Sequence, residues 1–345
     1  MPDRIAVRSP YRPAAAMFVV GWGANMFTPL LMVYAVALSD TALAVVFATA
    51  GAAFGPGTVW LNELNAQSGS SRSAATLTTI ALTAGFAVGP LATGVLAQWL
   101  PWPCALGYLV HLVLLLLAAP VVWFAPETAP RRSAARGRSM AGSALRHPLF
   151  ARVMLPTAPW VFGGVVAAIV VLPQNADLGE FEIAATGGLA ALTLLTGVCV
   201  QPIAARTAAR SGLGAVFVDG LVLLVTGLII GAAMEVTHWT LLLFLAAAPL
   251  GAAYGFLLTG GLKLIPVITT PEHRSLVTGI FYVLAYSGYF WSILVNALVP
   301  VVPKAVSFSV SAVVVLLTLV PVRSRQARAA LQQAPSRPEQ ACAHP

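Results

Sequence analysis

Eighteen of the nineteen lysines and arginines in this 345-residue chain fall on alternate sides of ten apolar segments. The segments cover residues 15–37, 42–61, 75–99, 104–124, 153–173, 183–204, 213–234, 239–262, 275–299 and 303–322. A helix of about 20 residues, rising ~1.5 Å per residue, spans the ~30 Å hydrocarbon core of a bilayer, so each segment is read as a crossing. With residue 1 in the cytoplasm, every Arg and Lys except Lys304 lies in an inner loop or tail, and it is the Lys and Arg of short loops that orient membrane helices. Asp40, Asp177, Glu180, Glu182 and Glu235 then occupy outer loops. The expected protein is an all-α, multi-pass component of the bacterial cell membrane, embedded in the lipid bilayer with both termini cytoplasmic.

Composition agrees by an independent route, since 59% of the residues are apolar and 9% charged, against roughly a quarter charged in a soluble domain. The net charge of +8 sits beside membrane ends, where anionic headgroups attract it, so it does not build a nucleic-acid surface. Cys104 lies near an outer end, Cys199 within a helix and Cys342 in the tail, a distribution that implies no disulfide framework. Ala35-Val36-Ala37 after a basic start also fits a cleavable leader. The apolar run is longer than a leader core, however, contains Asn25 and Pro29, and is needed for the charge alternation, so it is read as the first helix.

The chain divides at its longest polar interval. Residues 1–124 carry four segments and residues 153–322 carry six; residues 125–152, with six arginines among Ser, Gly and Ala, form a basic cytoplasmic linker, and residues 323–345 form a polar tail without the apolar content for a core. Glycine and proline stand inside the apolar runs, as at Gly51, Gly55, Pro56 and Gly57, and again at Gly85, Gly89, Pro90 and Gly94. In a membrane bundle such residues either let backbones approach closely or kink a helix used in conformational change.

At these positions the chain resembles the major facilitator superfamily of secondary transporters. Gly85-Phe-Ala-Val-Gly89-Pro90-Leu-Ala-Thr93-Gly94 is similar to the Gly-Pro motif of its proton-coupled exporters, with Thr93 replacing a glycine and Thr76 standing where another would lie. Gly55-Pro-Gly-Thr-Val-Trp-Leu-Asn-Glu-Leu64, Pro126-Glu127-Thr128, Glu272-His273-Arg274 and the run from Phe281 to Tyr289 extend the likeness over nearly the whole chain. The resemblance implies alternating access around a midplane site, with efflux of a small organic molecule in exchange for protons and no resident cofactor. It also implies a loss, because the family has two halves of six helices and the first half here has four. The second segment begins like the family's second helix and ends like its fourth, as a hybrid joined near Ala48–Gly51. The chain thus lacks the family's third helix, its cytoplasmic Gly-Asp-Arg-Gly-Arg type loop and the arginine associated with proton coupling. Glu63 resembles the acid that pairs with that loop, its partner missing. The alternative implied is a degenerate, non-transporting membrane protein that serves as an interaction partner, and low or absent transport is expected from the chain alone.

Few residues in the spans carry chemistry. Asp219 lies about 9 Å along its helix, placed for a water defect or for pairing with Arg210, and His111 lies a similar distance from an outer end. Each is a candidate for proton coupling beside Glu63, or a structural group satisfied by a neighbour. Tyr282, Tyr286, Tyr289, Ile293 and Asn296 recur at helical spacing and face one direction. That stripe either lines a substrate cavity or packs between helices. Trp22, Asn25, Tyr34 and Tyr254 are placed to contribute to the same cavity, whose apolar walls and scattered polar groups suit an amphiphilic organic substrate. Paired Cys or His at metal spacing, aspartate-rich diphosphate motifs and phosphate loops are lacking from the sequence, so neither an enzyme nor a metal site is expected.

Overall fold

The computed structural model describes residues 15, 18–23, 26, 72–123, 145–270, 273–324, 327 and 331. The segment 42–61, Asn25, Tyr34, Glu63 and residues 125–144 of the linker lie outside that set. Among the described residues there is no strand. A helical stretch at 18–23 is followed by α1 (Arg72–Trp99), α2 (Pro103–Trp123), α3 (Phe150–Asn175), α4 (Glu182–Ser211), α5 (Leu213–Thr237), α6 (Leu241–Ile268), α7 (Arg274–Tyr286), α8 (Tyr289–Leu298) and α9 (Lys304–Val322). Seven stretches are long and apolar enough to cross a membrane: α2, α3, α4, α5, α6, the α7–α8 pair and α9. The 28-residue α1 stands beside them. The other two of the ten expected segments, 15–37 and 42–61, fall mostly or wholly outside the described residues.

From α3 onward the connections are short, with α7 and α8 counted as one span, and this sorts the polar residues. Arg206, Arg210, Lys263, Arg274 and Arg323 are exposed at one end of the bundle, while Trp99, Trp102, Phe181 and Trp239 are exposed at the other. A basic end and an aromatic end are the anchors expected of a chain whose middle lies in hydrocarbon. Hydroxyls within the spans bond back to their own helix, as Thr193 Oγ1 does to the Leu189 carbonyl at 2.8 Å and Ser311 Oγ to the Ser307 carbonyl at 2.7 Å. Such local bonds satisfy polar groups where water is lacking.

The core is built around α6, which packs on α3, α4 and α5, with α9 on α5 and with α7 and α8 on α3. Small residues permit it: a Cβ at Gly251 would strike the Thr193 carbonyl of α4, and one at Gly255 would strike the Gly197 carbonyl. α1 packs on α4, and α2 reaches the bundle through α1.

Two elements depart from regular α-helix. α3 contains two π-helical turns, Phe150–Met154 and Ala167–Val171, around a middle that begins at Pro159. Between α7 and α8 the chain tightens, with the amides of Gly288, Phe290 and Trp291 bonding to carbonyls three residues back. Each tightened residue turns the chain by about 120° rather than about 100°, which rotates α8 relative to α7. The tyrosine stripe is corrected accordingly: Tyr282 and Tyr289 are buried, whereas Asn296 is exposed and leaves the shared face.

Candidate functional site

The two irregular elements meet. A Cβ at Gly288 would collide with the Pro159 carbonyl and lie 2.6 Å from the Gly163 amide of α3. Only glycine allows the backbones this close, and the contact brings aromatic rings together across it. Phe162 stacks on Tyr286 with centroids 4.6 Å apart and lies 5.9 Å from Tyr289 and 5.6 Å from Tyr254. Tyr286 and Tyr289 stack in turn at 5.9 Å, and Tyr282 is buried in the same core, against the ring of Phe281 at 5.6 Å. Phe162 is near the middle of the 26-residue α3, as Tyr254 is of the 28-residue α6. The cluster therefore sits midway along both helices.

The sequence-derived set is thus brought together in part. Tyr254, Tyr282, Tyr286 and Tyr289 converge, Asn296 does not, and Asn25 and Tyr34 lie outside the described residues. Trp22 is buried, with its Nε1 lacking a hydrogen-bond partner and its ring 6.1 Å from that of Phe18. Phe162 carried no signal in the sequence, because a phenylalanine within an apolar run is indistinguishable there from lipid-facing residues.

The Gly-Pro motif packs two ways. Gly85 lies against the Phe18 carbonyl, and a Cβ at Gly89 would come 2.7 Å from the Trp22 carbonyl, so this face holds the 18–23 stretch. A Cβ at Gly94 would lie 3.0 Å from the Ile183 carbonyl and 3.1 Å from Gly187 Cα, on the side of α4. Pro90 is buried within a helix that continues without interruption from Arg72 to Trp99. The motif's glycines lie in close backbone contact with both neighbours.

One turn beyond Gly94 the contact with α4 becomes polar. Gln98 Nε2 donates to the Glu180 carbonyl at 2.7 Å, its Oε1 accepts from the Ala184 amide at 3.2 Å, and Trp99 faces Phe181 at 6.2 Å. The Ala184 amide is one of the first donors of α4, left without a helical partner, so Gln98 caps α4 from a different helix.

The two coupling candidates within the described spans differ. His111 is half-buried, with its imidazole packed where a Cβ at Gly23 would come within 2.5 Å, and its Nδ1 has no partner. Asp219 is exposed on α5 and forms no ion pair with Arg210. Sequence reasoning missed a third polar group. Glu235, expected in an outer loop, and Lys304, expected at the outer end of its segment, are buried at the aromatic end, with Asn175 donating to Glu235 Oε2 and accepting from Lys304. The signal was present in Lys304, the single basic residue that breaks the charge alternation. Among the described residues no group of His, Cys, Asp and Glu could hold a metal ion, and Cys104 and Cys199 are free.

No family model matches this chain, and no curated protein matches it either. The described residues form a helical bundle with seven stretches long and apolar enough to cross a membrane, consistent with an all-α membrane protein.

Proposed function

We propose that this chain is a secondary transporter of the major facilitator type, exporting a small amphiphilic organic molecule in exchange for protons. The observation that carries the reading is the midplane cluster of Phe162, Tyr254, Tyr282, Tyr286 and Tyr289, set where the two irregular elements of the bundle touch. Transporters place substrate near the bilayer midplane on interrupted helices, and π-helical turns recur at functional sites. Aromatic faces beside phenol groups suit a ligand with apolar bulk and few polar atoms. In this reading the basic end is cytoplasmic, and α1 against α4 is the seam along which the two unequal halves move.

A second reading, a non-transporting protein that binds a membrane partner, is favoured by one observation: α2 buries little of its surface in its own bundle. One experiment separates the two. The purified full chain in liposomes, given an amphiphilic aromatic dye and an imposed pH gradient, should move dye slowly, as expected of a shortened first half, but faster than empty vesicles. No movement at any gradient, with the protein shown to be folded, overturns export and leaves the partner reading; dye movement restored by inserting the missing helices near Ala50 would trace the loss to them. Orientation is tested by reporter fusions, with Gly137 and Gln333 expected inside and Gly179 outside.

A further inference from the structure

Among the described residues, the two charged side chains buried to nine-tenths or more stand together: Glu235, 8% exposed, and Lys304, 9% exposed. They do not touch. Asn175 stands between them, its Nδ2 donating to Glu235 Oε2 at 2.5 Å and its Oδ1 accepting from Lys304 Nζ at 3.3 Å; Gln174 Oε1 accepts a second bond from Nζ at 2.8 Å. The amide orientation is dictated by its neighbours, since an ammonium only donates and a carboxylate only accepts. Three helices contribute: the end of α3, the last turn of α5 and the first residue of α9.

Compensation within this group is unequal. The ammonium has two carbonyl dipoles facing it. The carboxylate has one N–H on Oε2, while Oε1 is buried without any partner. An ionised carboxylate out of water needs paired charge or several donors, and this one has neither in contact. Binding a proton removes the uncompensated charge while leaving Lys304 held by its amides.

Access is one-sided. Glu235 lies within the last turn of α5, where His238, Trp239 and Asp177 of the adjoining loops are exposed. One turn deeper, Gly231 packs against the Phe308 ring, where a Cβ would lie at 3.0 Å, with Leu172 beside it at 3.3 Å. Those apolar groups close the site towards the membrane interior. The titratable groups facing Glu235 are Lys304 from α9 and His238 at the end of its own helix; α3 itself presents the neutral Gln174 and Asn175.

We propose that Glu235 is an exchangeable proton site opening to the aromatic end, with Asn175 and Lys304 as its fixed frame. Glu235 Oε1 takes a proton from water to form a neutral carboxylic acid and returns it to water, and no other bond changes. The cluster alternates between net neutral and net positive at the junction of α3, α5 and α9. As the coupling step of export the site rests on the transport reading above; as a proton site it does not.

The test uses the full chain in lipid nanodiscs, following the infrared carbonyl stretch of neutral carboxylic acids through a pH titration. Wild type should show a titrating band that is absent from Glu235→Gln and retained in Asp219→Asn and Asp177→Asn. Lys304→Gln should bring half-protonation at a roughly tenfold lower proton concentration, because a neighbouring cation that favours the carboxylate is gone. A band unchanged by Glu235→Gln would overturn the proposal and make the residue a permanently charged strut. If that variant does not fold, an unmoved midpoint in Lys304→Gln overturns it equally. In liposomes that export dye, Glu235→Gln should abolish the dependence on the pH gradient, and retained dependence overturns the coupling step. A titrating band without dye export by wild type sinks the exporter reading and leaves the proton site standing.

Discussion

α2 and α3 are both long and apolar enough to cross a membrane, yet 72% of the α3 span is buried within the bundle and 6% of the α2 span. Apolarity does not separate them. Lipid tails are as apolar as leucine, so burying leucine against a helix gains little over leaving it in lipid. What separates them is shape: α3 presents Gly163 and Gly164, and its partners Gly288 and Leu250 close onto those positions. α2 is leucine-rich on several sides, with Leu112, Val113, Leu116 and Leu117 all exposed, and meets α1 where a Cβ at Gly107 would lie 2.7 Å from the Thr93 methyl. Insertion follows from composition, and docking follows from where small residues allow backbones to meet.

The largest effect should come from filling the closest of these contacts. Gly288→Leu places a side chain against the Pro159 carbonyl and the Gly163 amide, backbone atoms rather than a flexible side chain, so destabilisation of about 3 kcal/mol, the upper end for overpacking, is expected. Monodisperse protein recovered in detergent should fall to near zero. Gly279→Leu, with nothing within 4 Å of its Cβ position, is the matched control and should express normally. Equal recovery of the two variants would break the claim that close approach holds the six-helix region.

Truncation in the two regions should differ next. Phe162→Ala removes the ring shared by three tyrosines and should lower stability by about 3 kcal/mol, the lower bound for a buried phenylalanine in a protein core. Leu117→Ala in α2, 68% exposed, should change it by under about 0.5 kcal/mol. Thermal unfolding of the purified variants checks both, and dye transport should be lost in the first and kept in the second. Similar losses would mean that α2 is covered in the working protein.

What the sequence made legible follows the same division. Helix positions were readable because apolar runs and charge breaks report the bilayer directly: 213–234 became Leu213–Thr237, and 303–322 became Lys304–Val322. The tyrosine stripe was readable from periodicity up to Tyr289 and failed at Asn296, because the three-residue tightening after Ser287 changes the phase and has no marker beyond a Ser-Gly pair that occurs equally in regular helices. Glu235 was assigned to a loop because an apolar run ends at its first charge. Its burial depends on Asn175, 60 residues before it, and on Lys304, far along the chain after it, and pairing across segments leaves no trace in any one of them. Gln98 was invisible for the same reason.

A smaller effect should follow from Gln98, which joins the sparse region to the dense one. Gln98→Ala removes two neutral hydrogen bonds to Glu180 and Ala184 in a partly exposed setting, and about 1 kcal/mol of stability is expected from their loss. The sharper readout is local. A cysteine introduced at Ala184 should react several-fold faster with a membrane-impermeant maleimide when Gln98 is absent, because the first turn of α4 has lost its cap. An unchanged labelling rate would show that Trp99 against Phe181 closes this end without the amide.

The smallest effect is expected at Asp219, and it sharpens the contrast between exposed and buried charge within one helix. Asp219 and Glu235 both lie on α5, but Asp219 is exposed, unpaired with Arg210, and within two turns of the basic end, where a carboxylate reaches headgroups and water. Asp219→Asn should therefore alter thermal stability by less than about 0.5 kcal/mol and leave the pH dependence of dye transport within error of wild type. The identical change of charge at Glu235 acts where the carboxylate is buried and no basic side chain is in contact with it. Loss of gradient dependence in Asp219→Asn would reverse this assignment, placing the coupling carboxylate near the basic end of α5 and making exposure a poor guide to which buried or bared acid a membrane helix uses.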